Sequence, residues 1–530
     1  DTATTETNTL SLHDALPIFL RRLELGPRQA ASACRTCGEP VTPEQRFCPA
    51  CGRLQVEKDP ERSTYKPHKK VEEAPTEEHR MFTVPFFGRE AELVIARDFL
   101  TRPGPCLLEL EGVAGVGKRA LALHAARSYG GARRVVRVGP DREGVRRAWW
   151  SVARVIRGLC GLPERPGRPD VVALVKRLRL EAEELGQVLA LFGVPAEPSD
   201  LEYQVRRREM VTTVVRLLHR AVQEGPVLLV LSELDAWDVL SRQVVERVVS
   251  FPFDERVRVI ATIRTSRWSE RPLPEGVSRR LRVGPFDPET AARFRRETLV
   301  ANGYTGEAVE LLPWSGGDGL PLHLVEGLRL LHGGINDLDR PLSDVVQTRI
   351  RNLPGPTRRL LQWVSVAGGR LSGQFVRDSG FIEKASVDAT LDCVRHGFLS
   401  AGDDGRLELA HQTFSGIILA EMSAVVRSRM EQELHEHLLG LDADPRLMVV
   451  TAQHCLEPQA VIEVLLRAAD TCEACLDDPG VRHHLKLAYQ YAELGARAGV
   501  GIPRYLEICR RYGDRKSTRR NSSHRIRTRM

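Results

Sequence analysis

Two groups of residues in this sequence have the types and spacings that chemistry needs. The first is Cys34-x2-Cys37 and Cys48-x2-Cys51, two CxxC pairs separated by ten residues. Two such knuckles can place four thiolates tetrahedrally around one zinc ion. Gly38 and Gly52 follow the second cysteine of each pair, where the chain must turn tightly around a metal. A ribbon of about 20 residues cannot bury a core, so metal binding would supply its folding energy. With four thiolates the expected zinc is structural and has no open coordination site.

The second group is Gly112, Gly115, Gly117 and Lys118 in the stretch GVAGVGK. It follows the apolar run Leu107–Glu111 and precedes the helical pattern RALALHAARSYG. The glycines let backbone N–H groups wrap a phosphate, the helix N-terminus favours the anion, and Lys118 reaches the outer phosphates. The expected ligand is ATP or ADP. One position departs from the pattern. A Ser or Thr hydroxyl after the lysine would ligate magnesium, and here stands Arg119, a cation that cannot ligate a metal. Magnesium is therefore expected to be held weakly, if it is held at all.

These residues need a scaffold, and 530 residues suffice for three or four domains. Short apolar runs at Leu107–Glu111, Val135–Val138, Val227–Leu231 and Val257–Ile263, with a weaker one at Leu281–Val283, read as strands. Helical patterns lie between them, notably over 171–191 and 205–223. Strands alternating with helices imply a parallel, three-layer α/β domain. From about 287 the strands stop. DPETAARFRRETL, GEAVELL and LPLHLVEGLRLLHG read as three helices. Residues 341–420 give helices followed by FLSAGDDGRLELA, two strands around a Gly-Asp-Asp-Gly turn, which suggests a winged helix. From 425 to about 512 the pattern is helical, without an established repeat period.

Composition narrows the function classes. Hydrophobic residues at 42% and charged residues at 28% are those of a globular chain. No apolar run is long enough for a membrane span, and the first residues do not read as a secretory signal. Of the 11 cysteines, four have ligand spacing and the rest are scattered, which suits a reducing, cytoplasmic setting. The net charge of +7 equals the seven Arg and Lys of 515–530, where there is no acid. The remainder balances at 70 basic and 70 acidic residues. Residues 1–19 and 514–530 resemble translated sequencing-adapter scars, so both are set aside as artefacts and the natural protein is expected to continue beyond at least one end.

The central region resembles the origin-recognition-like AAA ATPase domains of STAND regulators. Phe87-Gly88-Arg89-Glu90 stands before the first strand, and VLSELDAWD at 230–238 matches that family's VLEDLHWAD. The family's acidic pair falls on Ser232 and Glu233, so one acid is lost and Asp235 is the nearby substitute. The resemblance implies that Glu233 and Asp235 act on magnesium or the attacking water, and that Arg264, after VRVIATI, is the sensor arginine. It implies further that Pro321, in Gly319-Leu320-Pro321-Leu322, lies near the adenine. His411, after the hairpin, would reach the phosphates. Residues 86 to about 450 are covered.

The expected organisation is a zinc ribbon at 34–52, a linker at 53–84, an AAA-type P-loop domain at 85–285 and a helical lid at 286–338. A winged helix at 339–424 and a helical region at 425–513 complete it. The expected function is a nucleotide-controlled regulatory switch in which hydrolysis is weak or lost. Alternatives are a non-hydrolysing interaction scaffold and a DNA-remodelling ATPase. The helix at 385–396 carries Asp388 and Asp392 against Arg395, which does not suit the major groove, so direct nucleic-acid binding is not expected. A protein partner on the C-terminal helices or the ribbon and a nucleotide-dependent homo-oligomer complete the expectations. Cys472, Cys475, His483 and His484 offer a second metal site, against the simpler reading of cysteine as a small buried hydrophobe.

Overall fold

A computed structural model describes residues 82–513 apart from short internal stretches, the longest being 305–318 and 373–385, together with 32–33 and 40–41. Cys34, Cys37, Cys48 and Cys51 lie outside the described residues, as do GEAVELL, the Gly-Asp-Asp-Gly turn and both terminal segments. Around the first cysteine pair, β1 (Ser32–Ala33) runs antiparallel to β2 (Pro40–Val41), with Ser32 opposite Val41.

The central sheet contains β3 (Leu107–Glu111), β4 (Arg134–Val138), β5 (Val227–Leu231), β6 (Val257–Ile263) and β7 (Ser278–Arg282). Every neighbouring pair is parallel, in the order β4-β5-β6-β3-β7. This is the all-parallel sheet of an α/β fold, as the alternation of strands and helices implied. β5 and β6 are buried along their whole length, which explains the continuous apolar run of β5 and the largely apolar β6. The weak run expected at Leu281–Val283 belongs to β7, which starts earlier. As an edge strand it exposes arginines, so its pattern is diluted.

Two helices, α1 (Glu90–Thr101) and α2 (Lys118–Arg127), cover one face of the sheet. The other face is covered by α3 (Trp150–Cys160), α4 (Arg168–Arg177), α5 (Leu185–Leu191), α6 (Tyr203–Val222) and α7 (Val239–Ser250). The pattern over 171–191 is therefore not one helix. Arg179 adopts a left-handed φ of 53° after α4. The Glu181 N–H then donates to the Glu184 carboxylate at 3.0 Å, a cap that starts a new helix.

Beyond the sheet, α8 (Pro288–Ala301) and α9 (Pro321–His332) share a core with Phe286. Next come α10 (Leu342–Arg351), α11 (Gly355–Val366), α12 (Ser386–Arg395) and α13 (Gln412–Glu421). They accompany an antiparallel sheet of β8 (Arg370–Ser372), β9 (Leu399–Ala401) and β10 (Arg406–Leu409), in the order β8-β10-β9. The expected hairpin is β9–β10; β8 adds a strand the sequence did not announce. Arg349 on α10 is buried against Glu326 on α9, donates to the His396 carbonyl and lies 4.3 Å over the Phe398 ring. That buried ion pair ties α9 to the three-stranded unit.

Last come α14 (Ala424–Gly440), α15 (Pro445–Cys455), α16 (Pro458–Ala474) and α17 (Asp478–Arg497), each packed on the next. Cys472 is part of their core, and burial raises its thiol pKa. Among the described residues no cluster of three or more His, Cys, Asp or Glu is arranged for a metal ion. Cys472 with Cys475 is therefore a packing feature. No helix among the described residues is long and apolar enough to cross a membrane.

Candidate functional site

The glycine loop leaves the C-terminal end of β3, where the chain order reverses between β6 and β7, the place where ligands of open parallel sheets bind. Gly115 and Gly117 have φ of 81° and 95°, which L side chains rarely adopt. None of the N–H groups of Gly115, Val116, Gly117 and Lys118 donates to a backbone carbonyl among the described residues. A row of undirected donors at the start of α2 is the geometry an anion needs. The Lys118 ammonium donates to the Gly112 and Val113 carbonyls at 2.7 and 2.8 Å, closing the loop on itself. Burial lowers its pKa, while Asp235 and Glu233 nearby oppose that shift.

The acidic residues lie at the end of β5. Ser232 continues the ladder, its N–H donating to the Val138 carbonyl at 2.8 Å. Glu233 takes a left-handed φ of 51°, and its N–H donates to the Thr262 hydroxyl at 2.8 Å. Asp235 lies 3.2 Å from the Arg264 guanidinium. The structure thus brings Lys118, Glu233, Asp235 and Arg264 into one electrostatic neighbourhood. Arg119 is exposed at the surface. The donor set does not fit a protein-held magnesium well: no hydroxyl follows Lys118, and Asp235 is engaged by a guanidinium.

Pro321 is the first residue of α9 and approaches Gly117; the next residue, Leu322, donates its N–H to the Gly115 carbonyl at 3.1 Å. A Cβ on Gly115 would come within 2.9 Å of the Leu322 Cβ. The N-terminus of α9 therefore rests directly on the loop. His411 is placed as the N-cap of α13, its ring accepting from the Thr413 N–H at 3.3 Å.

Three features were not assigned roles from sequence. Arg89 donates to the Val116 carbonyl at 3.0 Å and the Gly284 carbonyl at 2.6 Å, and stacks 4.5 Å from the Phe286 centroid. It fastens the glycine loop to the exit of the sheet; its signal was the Phe-Gly-Arg-Glu stretch. Trp149, in a left-handed conformation, donates its indole N–H to the Cys475 carbonyl at 2.8 Å, while its backbone N–H donates to Asp238 at 3.1 Å. Leu476, just beyond α16, is buried in the core of the central sheet. Trp149 thus links the C-terminal helices to the loop that carries Glu233 and Asp235, through Asp238.

No protein-family profile and no curated protein matches the sequence. Among solved structures, the chain is similar to a Signal Transduction ATPase with Numerous Domains (STAND) protein with a tetratricopeptide repeat sensor from Pyrococcus horikoshii. The identity is 16% and the TM-score 0.49, over 79% of this chain and 56% of that one. The chain thus spans little more than half of that relative's length. Cdc6p from Pyrobaculum aerophilum follows at 12% identity and TM-score 0.30, over 64% of this chain and 94% of that one. Drosophila ORC bound to AT-rich DNA and Cdc6 follows at 10% and 0.21, over 63% and 90%. Likenesses this low leave the function to be read from the site's own residues.

Proposed function

We propose that this protein is a nucleotide-binding regulatory switch of the STAND ATPase class whose hydrolytic site is degenerate. The observation that carries the reading is the seating of α9 on the glycine loop, Leu322 N–H to Gly115 carbonyl, beside a row of N–H donors with no backbone acceptor. A phosphate chain on that loop would be held by the N–H groups of 115–118 and by Lys118, which would exchange its loop carbonyls for phosphate oxygens. A bound nucleotide supplies the charge that such a switch reads. Because α9 is ion-paired to α10, a shift of α9 over the loop would move the three-stranded unit with it. That unit is read as a winged-helix arm and α14–α17 as a sensing region for a protein partner, in a cytoplasmic protein able to assemble when nucleotide is bound.

Arg119 and Ser232 both subtract from magnesium handling, so we assign slow or absent turnover, and we derive no step through the metal. The β1–β2 pairing supports the four-cysteine ribbon, because it brackets Cys34 and Cys37 within six connecting residues. The ribbon is assigned one structural zinc and a docking role.

A second reading is favoured by the Lys118 contacts. A lysine satisfied by Gly112 and Val113 suits a scaffold that never takes nucleotide. The experiment that separates the two is calorimetric binding of ATP and ADP to the full chain with and without magnesium, with turnover followed by phosphate release. Micromolar binding that survives magnesium removal and falls with Lys118→Ala supports the switch. No binding favours the scaffold, and brisk magnesium-dependent turnover overturns the degenerate site.

A further inference from the structure

At the opposite end of the central sheet from the glycine loop, an open groove of about 660 Å³ lies between the end of α4 and the last turns of α6. Its lining carries Arg177, Arg179, Arg216 and Arg220, with Glu224 as its carboxylate. That carboxylate is already engaged, 3.2 Å from Arg134 and 3.7 Å from Arg177. Arg216 is held by Glu184 at 2.8 Å. Arg179 and Arg220 pair with no carboxylate among the described residues, and both are exposed. The left-handed backbone at Arg179, costing an L residue ~1 kcal/mol or more, sets this guanidinium on the groove instead of continuing α4.

We propose that this groove binds a soluble anion carrying two or more linked phosphates. Guanidinium forks match phosphate oxygens in pairs, and two forks without a carboxylate among the described residues, Arg179 and Arg220, on one concave surface with Arg177 and Arg216 beside them suit more than one phosphate. The volume falls within the ~300–1,000 Å³ of small-ligand sites. Apart from His219 the lining offers no aromatic ring for a base to stack on, and it is a short pocket instead of a basic stripe, which argues against a nucleic-acid strand. The groove is distinct from the glycine loop. Yet α6 leads through Gln223 and Glu224 into β5, whose other end carries Ser232 and Glu233. An occupant would sit one strand, roughly 17 Å, from the candidate nucleotide site.

The inference does not rest on the glycine-loop reading, and the test keeps them apart. Inorganic tripolyphosphate is titrated calorimetrically into the full chain carrying Lys118→Ala, at low and at moderate salt. Binding is expected to persist, to weaken with salt, and to fall at least tenfold when Arg179→Gln and Arg220→Gln are added. Both side chains are exposed, so the melting temperature should not move; the basic segment 515–530 is present in every variant and cancels. Unchanged affinity in the arginine variant overturns the proposal. So does equal affinity for inorganic monophosphate, or tighter, arginine-dependent binding of a short single-stranded RNA.

Discussion

Replacing Asp238 with asparagine should stabilise the protein at neutral pH and do little in acid. Asp238 is buried, and its Oδ1 accepts from the Trp149 and Ser241 N–H groups at 3.1 and 2.8 Å. Its Oδ2 has no hydrogen-bond partner among the described residues. Burial pushes its pKa up from 3.8 to about 6, with the charge of Asp477 adding to the shift. A gap of about two units at ~1.4 kcal/mol each makes the ionised form cost roughly 3 kcal/mol at pH 7. The folded state holds the proton more tightly, so the stabilisation is complete below about pH 4. It is lost as pH rises through about 6. Asparagine keeps the Oδ1 acceptor and removes the charge. Urea unfolding between pH 4.5 and 8 should show wild-type stability falling with pH and a flatter curve for Asp238→Asn, the two diverging by about 3 kcal/mol at most. Parallel curves, or a variant less stable at pH 7.5, would refute the account of a carboxyl trapped at this contact.

Three further outcomes follow from the same geometry. Arg119→Thr with Ser232→Asp should raise phosphate release above wild type; no gain would mean that another defect limits turnover. Glu326→Gln leaves Arg349 buried beside an uncharged partner and should cost ~3–5 kcal/mol in denaturant unfolding. Cys34→Ser should abolish stoichiometric zinc in elemental analysis of the full chain; zinc retained at one per chain would remove Cys34 from the ligand set.

What the sequence made legible was whatever repeats locally. β5 and β6 are unmistakable because both faces are covered, and the glycine loop because its spacing is that of a known phosphate-binding pattern. β8 was not legible, since three residues carry no period and its partner β10 lies more than thirty residues on. The break at Arg179 was missed because nothing in Leu-Arg-Leu signals a left-handed residue. Arg349 and Glu326 lie more than twenty residues apart on separate helices, so only the structure reveals them as a buried pair. The contact of Trp149 with Cys475 spans 326 residues and has no local signature. His411 drew its expected role from resemblance; its capping of α13 is a contact the sequence reading did not include.

The beginning of α3 is where the separate parts of the chain meet. Trp149 is held from one side by Asp238 and from the other by the Cys475 carbonyl. Its neighbour Trp150 lies under Arg147 at 5.5 Å and Arg154 at 4.9 Å, and under Arg370 of β8 at 5.8 Å. One tryptophan thus faces the C-terminal helices and the next faces the three-stranded unit. Leu476 is buried in the central core, so withdrawing the C-terminal helices would expose apolar surface and strip Trp149 of its acceptor. Asp238 lies three residues beyond Asp235, on the loop that also carries Glu233. The loop that carries Glu233 and Asp235 is thus linked to the C-terminal helices through Asp238 and Trp149, at the place where α3, the C-terminal helices and the three-stranded unit come together.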